Sequence, residues 1–164
     1  MVGRAIDFLR RMQCENGAWW GRWKVCYVAE TATILLGLAS IGEDMSAEYV
    51  RRALGFLASS QNDDGGFGEV PEAYENPTLA GHGPSMPAVT AYVMLGVLAA
   101  RGTSDATMAK AAAYLIRQQR PDGLWNNERW LHTFIPPHLL YEYVMPAHTL
   151  PVVALRRFVQ CAAI

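Results

Sequence analysis

The chain has 164 residues, 51% of them hydrophobic and 18% charged, with a formal net charge of -1. That length suits one domain, 1–164, and the apolar content excludes a disordered or solvating segment. With 14 basic against 15 acidic residues, there is no electrostatic footprint for nucleic acid.

From the first residues onward the chain repeats itself. One pattern, Ala-x-x-aromatic-Leu-x-x-x-Gln-x-x-x-Gly-x-aromatic, occurs three times with identical internal spacing. The repeats span roughly 3–41, 46–101 and 104–160. The first carries Ala5, Phe8, Leu9, Gln13, Gly17 and Trp19. Alanine, aromatic and leucine at i, i+3 and i+4 make a narrow apolar stripe on a helix. Arg10 and Arg11 place that helix in an outer, solvated layer. Gln13 closes it, Asn16-Gly17 turns the chain, and Trp19 is expected to fold back on the Gln13 amide as a clamp. After a loop from about Cys14 to Lys24, Thr31-Ala32 leads into an inner helix, Ile34 to Ala39, that is apolar nearly all round.

The second repeat runs through Ala53, Phe56, Leu57, Gln61, Gly65 and Phe67, with Arg51 and Arg52 on its outer helix. Its loop, Asn62 to Pro84, is the longest, and its inner helix follows Thr90-Ala91. Asp63-Asp64 is the only adjacent aspartate pair and reads as a turn former, while Glu69, Glu72 and Glu75 read as a solvated edge. The third repeat has Ala111, Tyr114, Leu115, Gln119, Gly123 and Trp125, a loop from Arg120 to Pro137, and an inner helix after Thr149. The threonines Thr31, Thr90 and Thr149 are evenly spaced. The long loops all open at one end of the helical stack, which is where a site is expected.

Few residues suggest chemistry on their own. Cys14, Cys26 and Cys161 lack metal-ligand spacing, so free thiols in a reducing compartment are expected. His132 and His138 could be combined with Cys26 as ligands, but no helical i, i+3 or i, i+4 pair exists, and no metal is expected. Glu30 stands at the start of an apolar inner helix. It is either a first-turn residue favoured by the helix dipole or a buried acid able to donate a proton. Tyr27 and Tyr92 are either core tyrosines or pocket lining. With no basic-then-apolar leader and no spanning apolar run, a cytoplasmic location is expected.

The clamps resemble the QW repeats of the squalene–hopene and oxidosqualene cyclases, the class II terpene cyclases. Gly21-Arg22-Trp23 with Tyr27, Tyr74-Glu75-Asn76-Pro77 through Gly81-His82-Gly83-Pro84-Ser85, and Pro136 through Arg157 extend the likeness over essentially the whole chain. The resemblance implies an all-α fold in which three helical hairpins form about half of an α/α barrel, with inner and outer layers. It implies a cascade in which a polyprene is protonated and cyclised within an aromatic-lined cavity, without metal or cofactor. Ring faces stabilise passing cations without trapping them, and a dry cavity prevents quenching by water.

Under that likeness Trp23, Ile135, Leu139, Tyr143 and Pro146 match cavity positions, and Trp23 and Tyr143 read equally as lining or core. The Asp-x-Asp-Asp acid of the family is missing from this sequence. The resemblance therefore implies a second chain bearing the missing barrel half, or a homodimer with Glu30 as a replacement acid. It also implies peripheral membrane contact to take up a lipid substrate. The alternative is a non-catalytic module binding hydrophobic ligands, or the remnant of a broken cyclase gene. The mean hydropathy of +0.05, high for a small chain, then reads as an interface left unfilled.

Overall fold

Each repeat folds as an outer helix, a clamp loop and an inner helix. The computed structural model describes residues 2–103, 105–126, 132–141 and 144–162. The outer helices are α1 (Val2–Met12), α3 (Glu48–Ser59) and α5 (Ala106–Gln118). The inner ones are α2 (Val28–Ser40), α4 (Pro87–Arg101) and α6 (Val144–Ala162). The fold is all-α apart from two short strands in the third loop, β1 (His132–Thr133) and β2 (Leu140–Tyr141), paired antiparallel. Two short 3-10 turns, Pro71–Tyr74 and Pro77–Leu79, shape the second loop. Among the described residues no helix is long and apolar enough to cross a membrane.

Local chemistry sets the helix ends. Pro87 begins α4, where a missing N–H costs nothing, and Gly102 ends it at φ 70° in the left-handed region. Asp105 caps α5, its carboxylate accepting the Met108 N–H at 3.0 Å.

The inner helices stand side by side, α2 against α4 and α4 against α6, with α3 on α2 and α5 bridging α4 and α6. The core therefore centres on α4, where Val93, Met94 and Leu98 are wholly enclosed. A close approach holds α2 to α4. A Cβ on Gly96 would lie 2.3 Å from the Ala32 carbonyl oxygen, so the helix backbones meet with no side chain between them.

Only α4 is covered as fully as its composition suggests. The sequence leads one to expect every inner helix buried on both sides, but on α6 Val152 and Val153 are more than half exposed. The reason is positional, since α6 has an inner-helix neighbour on one side alone. At the other end of the array α1 has no buried residue.

Gly96→Ala forces the α2 and α4 backbones apart without any flexible neighbour to yield. A loss of about 3 kcal/mol is expected, read as a lower midpoint in chemical denaturation with an unchanged slope.

Candidate functional site

The clamps position the loop end. In all three, the glutamine side-chain N–H donates to the carbonyl of the turn glycine: Gln13 to Gly17 at 2.8 Å, Gln61 to Gly65 at 3.0 Å and Gln119 to Gly123 at 2.9 Å. Gln13 and Gln61 also reach the next outer helix, donating to the Tyr49 carbonyl at 2.7 Å and the Thr107 carbonyl at 2.9 Å. The aromatic is held by its indole N–H, from Trp19 to the Leu9 carbonyl and from Trp125 to the Leu115 carbonyl, both 2.8 Å. Phe67 has no donor and is simply buried. The backbone N–H groups of Trp19 and Phe67 donate to Thr31 and Thr90 at 2.9 Å, so two of the spaced threonines tie a clamp to its inner helix. The third departs: Thr149 is exposed and its hydroxyl turns back to the Met145 carbonyl.

Glu69 contradicts its expected place. The sequence suggests a solvated edge of Glu69, Glu72 and Glu75; the latter two are exposed, but Glu69 is wholly buried. Its Oε2 accepts the N–H groups of Cys26, Tyr27 and Val28 at 2.9, 2.6 and 3.0 Å, and its Oε1 accepts that of Gly81 at 2.7 Å. The first three donors are the free N–H groups entering α2, where a carboxylate also meets the positive end of the helix dipole. Burial pushes the Glu69 carboxyl above the usual range, against the pull of these N–H groups. Three donors on Oε2 leave no room there for a proton. Asp64, by contrast, folds the second clamp turn, accepting from the Gly66 N–H and the Ser85 hydroxyl.

Above this anchor the first and third loops join. The Thr133 N–H donates to the Trp23 carbonyl at 3.2 Å, and Lys24 pairs with His132 as an isolated bridge. The pairing brings together Trp23, Phe134 and Tyr141, with ring centroids 5.9 Å apart for Trp23–Phe134 and 6.0 Å for Phe134–Tyr141. Trp23 and Phe134 are more than half exposed, and the Arg22 guanidinium lies 5.7 Å over the Trp23 ring. The exposed Ile135 and Leu139 extend this aromatic shelf. At its margin the Tyr74 hydroxyl donates to the Lys24 carbonyl at 2.9 Å. Burial, and then the Lys24 ammonium, hold the His132 imidazole below its ordinary value.

Of the residues singled out from sequence, Trp23 packs edge-on against Phe134, and Ile135 and Leu139 are exposed in the same loop, where the Phe134 N–H donates to the Leu139 carbonyl. Tyr27 is not on the shelf: at 5% exposure it is a core residue, drawn in as its backbone joins the Glu69 anchor. Tyr92 is half-buried with the Lys24 ammonium 5.5 Å over its ring. Glu30 is an ion-pair partner, its Oε2 3.3 Å from Lys24 Nζ with both side chains largely covered. Tyr143 lies outside the described residues. Sequence reasoning missed Phe134 and Tyr141, whose partnership depends on the β1–β2 register, and it missed Glu69.

Two grooves flank these elements. One of about 500 Å³ runs between the second and third loops, lined by Val70, Pro71, Pro84, Pro137 and Leu140, with Glu72 and His138 among its polar edges. The other, about 720 Å³, lies among α2, α4 and α6, with Leu36, Leu95, Val152 and Val153 on its walls and Arg156 and Arg157 on its rim. Among the described residues no group of three or more His, Cys, Asp or Glu side chains could hold a metal ion. The described cysteines Cys14, Cys26 and Cys161 are unbridged, and burial pushes the Cys26 thiol far up.

Residues 1–160 match the squalene-hopene cyclase C-terminal domain. The chain is 36% identical over 163 residues to the terpene cyclase-glycosyl transferase fusion protein fsoA of Humicola fuscoatra, covering 94% of this chain and 12% of that protein. It is 34% identical over 160 residues to the squalene–hopene cyclase of Alicyclobacillus acidocaldarius, covering 98% of this chain and 25% of that one. The chain thus spans a quarter or less of these relatives. Among solved structures, ent-copalyl diphosphate synthase from Streptomyces platensis superposes with a TM-score of 0.64 at 19% identity, over 96% of this chain and 27% of that one. A protein from Actinoplanes gives 0.66 at 21% identity, over 99% of this chain and 51% of that one.

Glu69→Gln replaces a charged acceptor by an amide whose N–H groups face N–H donors. A loss of about 2–3 kcal/mol is expected, measured by denaturation at neutral pH, with faster hydrogen exchange at the start of α2.

Proposed function

This chain belongs to the squalene-hopene cyclase C-terminal domain family, and from that premise we propose that it is one component of a class II terpene cyclase. Its role is to shelter a linear or partly cyclised polyprenyl chain while a carbocation cascade runs. The observation that carries this reading is the exposed shelf of Trp23, Phe134 and Tyr141 at the loop end of the inner helices. Ring faces attract a cation without offering a lone pair that would capture it. In the cascade, a proton added to a terminal alkene leaves a cation, neighbouring double bonds supply the electron pairs for new C–C bonds, and loss of a proton or capture of water ends it. The aromatic and aliphatic wall of this chain would stabilise the intermediate cations and exclude water.

In this reading the proton comes from outside these 164 residues, as from a partner chain. The sequence contains no Asp-x-Asp-Asp, and Glu30 is engaged by Lys24 at 3.3 Å. That pairing favours a positioning role for Glu30. It also favours the second reading, a module that binds hydrophobic ligands without turning them over.

The two readings separate on incubation with linear polyprenes of graded length. The chain alone is expected to bind them without product, and to yield cyclic product when a chain bearing the acid-containing barrel half is added. A cyclic product from the lone chain overturns the need for a partner, and failure with any such partner favours the binding module. In the active mixture Trp23→Ala is expected to slow turnover about 10-fold, the loss of one desolvated cation–ring contact of ~1–2 kcal/mol. Glu30→Gln is expected to leave the turnover rate within about twofold (under ~0.5 kcal/mol), whereas its loss would identify Glu30 as the acid.

A further inference from the structure

Beside the aromatic shelf two opposite charges are built into the wall of the loop end. Lys24 Nζ lies 3.3 Å from Glu30 Oε2, with the two side chains only 18% and 23% exposed. Trp23 of the shelf directly precedes Lys24, and Glu30 stands in the first turn of α2. The ammonium also lies 5.5 Å over the ring of Tyr92 on α4, so the pair sits where the first loop meets two inner helices. Its surroundings hold it in place. The Lys24 backbone is bridged to His132, its carbonyl accepts from the Tyr74 hydroxyl at 2.9 Å, and a Cβ on Gly21 would lie 3.0 Å from the Glu30 Cβ. Neighbours on both sides feel the charges: after burial itself, Lys24 lowers the His132 imidazole and Glu30 raises the Tyr92 phenol.

Such a pair has hydrogen-bonding capacity beyond its own contact. An ammonium carries three N–H donors and a carboxylate two acceptor oxygens, and one bond between them uses a single site on each. Donor and acceptor side by side suit a group that both accepts and donates, as a hydroxyl does. A hydrocarbon placed here displaces water without replacing the hydrogen bonds of either charge, which is costly. A diphosphate brings several negative charges beside Glu30, while the one ammonium is already neutralised. The other cation of the shelf, Arg22, is exposed at its rim, where water and salt weaken its pull.

We propose that the Lys24–Glu30 pair binds the hydroxyl of a linear polyprenyl alcohol, the hydroxyl oxygen accepting from the ammonium and its O–H donating to the carboxylate. The inference deepens the cyclase reading and rests on it for the polyprenyl chain. It names the substrate class as an alcohol, over a hydrocarbon or a diphosphate. Held at the pair, the alcohol end leaves its chain to run across the Trp23 and Phe134 rings, with the far terminal alkene directed away from it. Lys24 and Glu30 thereby set both substrate preference and orientation, and the contact that engages Glu30 is the one that completes the site.

Equilibrium binding to the chain alone, read by tryptophan fluorescence, tests this with probes of one chain length: geranylgeraniol, its methyl ether, the matching hydrocarbon and geranylgeranyl diphosphate. The alcohol is expected to bind about 10-fold tighter than the hydrocarbon, with the ether, which accepts but cannot donate, in between. The double variant Lys24→Met/Glu30→Leu removes both charges and strands neither. Its circular dichroism is expected to match the wild type while the preference for the alcohol vanishes. An alcohol that does not bind or binds no tighter than the hydrocarbon, a diphosphate that binds tighter than the alcohol, or a folded double variant that keeps the preference each overturns the site. The wild-type ranking needs no variant, so it decides even where the double variant fails to fold. Turnover is read separately. A chain that ranks the alcohol first yet gives no cyclic product with any acid-bearing partner keeps this site and loses the cyclase reading. One that gives product without preferring the alcohol loses only the site.

Discussion

The carboxylate of Glu69 is the constraint on which the loop end depends. A buried charge is tolerated only where hydrogen bonds replace its water, and here four backbone N–H groups from two segments do so. Three of them begin α2, so the second repeat's loop fixes where the first repeat's inner helix starts. The consequences run outward. Cys26 and Tyr27 are pinned, the preceding Lys24 carbonyl accepts from Tyr74, and Trp23 is presented to the strand pair of the third loop. The aromatic shelf is thus assembled from two repeats and aligned by the third repeat's neighbour. Gly68 and Gly83 make the anchor possible: a Cβ on Gly68 would lie 1.7 Å from the Pro84 carbonyl oxygen, and one on Gly83 2.6 Å from the Glu69 carbonyl carbon.

The clamps supply a different kind of order. Each is closed within its own repeat by the glutamine-to-glycine bond, and each completed joint adds a bond to the following outer helix. Stability in such an array accrues from neighbour to neighbour, so its ends are the least covered parts. Exposed large apolar side chains accordingly collect on α1, with Val2, Phe8 and Met12, and on α6, with Val144, Met145, Val152, Val153 and Val159. The surplus apolar composition is concentrated at these two ends and on the shelf between them.

Much of this architecture was legible from spacing. The repeat Ala-x-x-aromatic-Leu with its distant Gln and Gly placed outer helices, clamp turns and inner helices in order, because local periodicity and turn chemistry govern those features. The site was less legible. Trp23 could be picked out, but Phe134 and Tyr141 join it only through a two-residue strand pair that no hydrophobic period announces. Glu69 resembled Glu72 and Glu75 in sequence and differs from them only in which backbone N–H groups the folded loop brings to it. Tyr27 failed as a lining residue for the same reason, since its backbone is drawn into that anchor.

By itself the sequence determined the all-α hairpin order, the outer and inner layers and the family, since each rests on residues close together in the chain or on their repeated spacing. Tertiary structure alone decided which acidic residue is buried, which aromatics share a surface, and that Glu30 is tied to Lys24. It also decided that Thr31 and Thr90 reach their clamps while Thr149 does not, although all three sit at equal intervals. Equal spacing fixes what a residue can offer; a partner arriving from a distant segment fixes whether the offer is taken up.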